Sequence, residues 1–78
     1  MPDNNYSTSD LGLAAFLLAL GFPLLDLRGT TGHPRTFVFS VDAAAAALGY
    51  FKGGTVEARR YAAAIRDLKG LVAQAGRP

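Results

Sequence analysis

Thr55–Val72, TVEARRYAAAIRDLKGLV, is the stretch from which the rest of the chain can be read. Ala58, Tyr61, Ile65, Leu68 and Val72 recur at spacings of three and four, which is one apolar face of a helix. A second face carries Arg59, Ala62, Ala63, Arg66 and Gly70. Its middle is flat and its edges are basic. Small residues let another backbone approach, and arginines hold anions. The spacing predicts a helix that packs on a core by one face and presents the other to a partner. Thr55 is its expected N-cap, with Glu57 in the first turn and Lys69 near the end, as the helix dipole favours.

Moving back along the chain, Gly53-Gly54 separates this helix from an alanine block that predicts a second helix ending near Phe51. Ser40 is its expected cap and Asp42 lies in its first turn. Before it, Arg35–Ser40 (RTFVFS) alternates β-branched and aromatic residues, the pattern of a strand with Phe37 and Phe39 turned inward. Leu24–Arg28 alternates more weakly, and the Gly/Pro-rich run 29–34 joins the two as an antiparallel hairpin. Gly29-x-x-Gly32 reads as a turn, since it lacks the lysine and the strand-to-helix setting of a phosphate loop.

The first helix is expected from about Asp10 to Leu20, stopped by Gly21 and Pro23. Ser7-x-x-Asp10 fits a capping box, and Thr8 or Ser9 would also cap. The helix is apolar on every side, and so must be buried on most of them. In so short a chain this points to a partner. Tyr6–Thr8 is an optional short strand. The expected fold is therefore a small α+β domain, order (β)αββαα, with a hairpin packed against three helices. Residues 1–5 are expected to be disordered, 6–73 to form the domain and 74–78 to be a tail.

Seventy-eight residues without cysteine give a core near the lower size limit, with no disulfide and no thiolate metal site to support it. Half of the residues are hydrophobic, which again favours self-association into a homo-oligomer. The net charge of +2 is too small to imply nucleic acid. Its distribution is uneven: residues 1–50 carry −2 and residues 51–78 carry +4. Leu11–Leu25 is too short and too interrupted to span a bilayer, and no basic segment precedes it, so a cytoplasmic protein is expected, with no membrane partner.

Tyr6-x-Thr8-x-Asp10-Leu11, an Ala/Leu-rich first helix, Phe37-Val38-Phe39 and a closing Leu68-Lys69 together resemble a family of short phage and bacterial proteins of unknown function. The resemblance covers about residues 6–72. It implies a phage or prophage accessory protein, acting in the host cytoplasm if phage-encoded, and it brings no activity with it.

The sequence holds no nucleophile–base pair, no paired acids and no metal-ligand cluster, so an enzyme is not expected, nor a cofactor. Asp10 reads as a capping residue, and His33 as a solvated loop histidine or a ligand contact. Arg59, Arg60 and Arg66 read either as a solvated face, with Glu57 and Arg60 paired at i,i+3, or as an anion site. Arg28, Arg35 and His33 from the hairpin and Tyr50 from the second helix would complete that site. Tyr61 reads first as core and second as a stacking platform. These residue types suit a nucleotide, held in a basic pocket at an oligomer interface. Nucleic-acid binding and protein interaction are the alternatives.

Overall fold

The computed structural model describes residues 5–29 and 36–75. Three strands and three helices alternate as β1 (Asn5–Thr8), α1 (Leu11–Leu20), β2 (Asp26–Arg28), β3 (Thr36–Ser40), α2 (Ala43–Phe51) and α3 (Ala58–Ala75). This is the βαββαα α+β order read from the sequence. The sheet is antiparallel with β3 in the centre, in the order β1-β3-β2. The optional first strand is therefore real, and it begins one residue earlier than expected: Asn5 pairs with Ser40 instead of fraying.

β3 is central because it alone has apolar residues on both faces. Phe37 and Phe39 face the helices and are buried, and Val38, between Ser7 and Asp26, is fully buried on the other side. Apart from Val38, that outer face is polar, with Asn5, Ser7, Asp26, Arg28, Thr36 and Ser40 around it.

α1 is the hub. It packs against α3, α2 and β1. Leu13, Ala14, Ala15, Phe16, Leu17 and Ala19 are all buried, and only Leu20 is exposed. One protomer thus covers its apolar helix by surrounding it, so the helix by itself does not call for a partner chain. The exposed large apolar residues lie elsewhere, chiefly Leu25 before β2, Val41 before α2, and Leu48 and Phe51 on the solvent side of α2.

Punctuation explains the helix ends. Asp10, and not Ser7, Thr8 or Ser9, caps α1: its Oδ1 accepts from the Leu13 amide at 3.2 Å. Thr8 instead accepts from the Asp10 amide through its hydroxyl at 3.1 Å. Gly21 ends α1 at φ +107°, where the Gly21 and Phe22 amides donate to the Leu18 and Leu17 carbonyls. Ser40 does not cap α2. It is the last paired residue of β3, and Asp42 takes the N-cap position without a side-chain bond.

α2 closes through the same kind of turn. Gly53 has φ +85°, and the Gly54 amide reaches back to the Gly49 carbonyl at 2.8 Å. This turn keeps Thr55 in the loop, so α3 begins at Ala58 and Thr55 is not its cap. A Cβ on Gly54 would lie 2.8 Å from the Gly49 oxygen and 3.2 Å from Phe16 Cζ. The first contact is with backbone and has little room to relax. Gly54→Ala is therefore expected to destabilise the domain by about 1–3 kcal/mol, as overpacking does. Urea unfolding of the two proteins side by side measures it, and an unchanged midpoint would refute the tight turn.

α3 is held by few residues. Leu68 is fully buried and Ala64 nearly so, while Tyr61, Ile65 and Val72 are half-buried beside them. Ala64 replaces Ala58 in the expected stripe, because Ala58 lies in the exposed first turn.

Candidate functional site

The predicted binding residues separate into distinct places. Arg59 and Arg66 are exposed on the solvent crest of α3, opposite Leu68. Seven residues of helix put them about 10 Å apart along the axis. Exposed Ala62 and Gly70 and half-buried Ala63 share or border this crest, and exposed Lys69 stands at its edge. Arg60 points down one flank. There it lines an open depression of about 290 Å³ with Asp67, Ala63 and the C-terminal end of α1. Arg28 lies on β2, where its Nε donates to Asp26 Oδ2 at 3.1 Å. His33 and Arg35 lie outside the described residues.

Among the described residues, Arg59, Arg60, Arg66 and Lys69 have no ion-pair partner. The local Glu57–Arg60 pair expected from their spacing is absent. Unpaired guanidiniums keep all their donors available for an anion. Within one protomer, however, the crest arginines and Arg60 do not meet in a common cleft.

Tyr50 belongs to a different place. It stands at the end of α2, with its ring 5.3 Å from that of Phe16 and tilted by 59°. With Tyr61 and the loop residues Gly54, Thr55 and Val56, these rings line a second depression of about 340 Å³. Burial raises the Tyr50 phenol above its ordinary value, and the charge of Asp10 and the neighbouring Tyr61 raise it further. The hydroxyl therefore stays protonated at neutral pH. Tyr61 is half core and half wall: its ring sits against the α1 cluster, and its hydroxyl donates to the Gly12 carbonyl at 3.4 Å.

Sequence reasoning placed Tyr50 with the arginines and left Asp10 as a cap only. The structure joins Asp10, Tyr50 and Tyr61 at the start of α1 instead. No local pattern signals this grouping, because its members come from three separate elements.

A family model for a domain of unknown function, DUF5659, matches residues 3–74. The chain belongs to the DUF5659 family. No curated protein and no solved structure matches it. For this DUF5659 chain, then, function rests on the residues themselves. Among the described residues there is no cluster of His, Cys, Asp or Glu suited to a metal, and no helix is long and apolar enough to cross a membrane.

Proposed function

We propose that this protein is a small accessory module, of phage type, that captures an anionic small molecule between copies of itself, a nucleotide being the best fit. The observation that carries this reading is the unpaired Arg59–Arg66 crest, with small residues between the two guanidiniums. Ala62 and Gly70 permit close approach of a second α3. Antiparallel packing of two crests would set Arg59 of one copy near Arg66 of the other. Four guanidiniums would then repel until an anion neutralised them, so ligand capture and assembly would be linked. Exposed Leu48 and Phe51 on α2 supply further apolar surface for association. Binding of this kind needs no cofactor and takes place in the cytoplasm.

A second reading is favoured by the straightness of the crest. A row of exposed cations without a cleft also suits the phosphates of a nucleic acid. The low net charge and the few basic residues weigh against it.

The double variant Arg59→Ala/Arg66→Ala decides between these. Both side chains are exposed, so the fold should be retained, as circular dichroism will show. Calorimetry against linear and cyclic nucleotides is expected to show binding by the parent protein and at least a tenfold loss in the variant, in line with charge-assisted bonds worth about 1.5–3 kcal/mol each. Light scattering should show the parent larger with ligand than without it. A steep fall of affinity for DNA with salt, without nucleotide binding, would select the second reading. Binding of neither would leave a protein-interaction module.

A further inference from the structure

The second depression has a charge character opposite to that of the α3 crest. Asp10 Oδ1, the Tyr50 hydroxyl and the Tyr61 hydroxyl lie 3.3, 2.9 and 3.3 Å from the point where a Cβ on Gly12 would stand. Glycine at position 12 is what lets these three oxygens gather. Only part of their bonding capacity is used. Asp10 Oδ1 accepts from the Leu13 amide, and Tyr61 donates to the Gly12 carbonyl. Among the described residues, Asp10 Oδ2 and the Tyr50 hydroxyl have no hydrogen-bond partner.

Beside this oxygen cluster lie the rings of Phe16, Tyr50 and Tyr61, which form the walls of the depression. The tilt between Phe16 and Tyr50 makes a concave corner. An aromatic face is electrostatically negative, and a cation over it is attracted. The Asp10 carboxylate, gathered with the hydroxyls of two of these rings near Gly12, adds to the same field. Among the described residues, the charged side chain that raises the Tyr50 phenol is Asp10. Such a place repels phosphate and attracts a cation.

We propose that this depression binds a quaternary ammonium group of a small molecule, with the three rings as walls and Asp10 as the counter-charge. A quaternary nitrogen fits better than a primary one. The remaining lining, from Gly54, Thr55, Val56 and Ala58, offers methyl contacts and a single side-chain hydroxyl, too few acceptors to replace the water around an –NH3+ group. The size, about 340 Å³, lies at the small end of the range for ligand pockets. The site does not depend on the arginine crest, since Arg59 and Arg66 project from the other side of α3.

Choline and its uncharged carbon isostere, 3,3-dimethylbutan-1-ol, test the proposal directly. The chain has three tyrosines and no tryptophan, so the ring-proton NMR signals of Tyr50 and Tyr61 are easily followed. Choline is expected to shift both saturably, and sodium chloride at equal ionic strength is not. The isostere should bind about tenfold more weakly, as loss of a partly desolvated cation–π contact implies. Asp10→Asn keeps a capping oxygen and removes the charge. It should weaken choline several-fold and leave the isostere unchanged. Tyr50→Leu, checked for fold by circular dichroism, should abolish both. Equal binding of choline and isostere, an unaffected Asp10→Asn protein, or no saturable shift would each overturn the proposal.

Discussion

Phe39→Ala is expected to remove a large share of the domain's stability. Among the described residues Phe39 is the largest fully buried side chain, on the central strand and within the core cluster to which α1 contributes most. Truncating a buried phenylalanine costs about 3–5 kcal/mol through lost transfer energy and the cavity left behind. A domain of this length has roughly 4–12 kcal/mol of stability in all. The lower part of that range is consumed by the one change. No disulfide is there to compensate, because the chain has no cysteine. Phe37→Ala should act in the same direction, less strongly, because Phe37 is slightly exposed where Phe39 is not. Urea unfolding followed by far-ultraviolet circular dichroism gives the result. A loss below about 1 kcal/mol would mean that the inner face of β3 is wrongly assigned.

Leu68→Ala is expected to release α3. Leu68 is the only large side chain of this helix that is fully buried; Ala64, its buried neighbour, has little surface to contribute. The loss should be about 2–5 kcal/mol. Its distribution matters as much as its size. α3 packs chiefly on α1, and the sheet is assembled from β1, β2 and β3 without it. Amide hydrogen exchange should therefore show protection lost first across residues 58–75, with β3 still slow. Uniform loss over both regions would show that α3 and the sheet form one cooperative unit. The anion binding proposed for Arg59 and Arg66 should fall in the same variant, since both residues depend on α3 being formed and docked.

Some of this architecture is legible in the sequence because it is local. Gly21 and Gly53-Gly54 mark helix ends by a backbone geometry that only glycine adopts freely, and alternation in TFVFS marks the strand. The exposed crest of α3 follows from period alone. Other features were set by competition between elements. Ser40 resembles a cap, but pairing with Asn5 holds it in the sheet. Thr55 resembles a cap, but the turn at Gly53-Gly54 carries it past that role. By contrast, the period alone separates Ala62, exposed beside the arginines, from Ala64, buried between Tyr61 and Leu68. The candidate sites divide in the same way. Arg59 and Arg66 share a helix face and were readable together. Asp10, Tyr50 and Tyr61 meet only because α1 is surrounded, a long-range fact that no spacing encodes.

The position of β1 bears on folding and solubility. β2 and β3 are close in sequence and can pair early, but β1 reaches β3 only after α1 has been laid down between them. Until then β3 has a bare edge carrying Phe37-Val38-Phe39, a short, uncharged run with high β propensity. Such an edge recruits other chains. The four residues of β1 therefore act as a guard as well as a strand. Deletion of residues up to Thr8 would remove the guard, and the first symptom would be aggregation during folding.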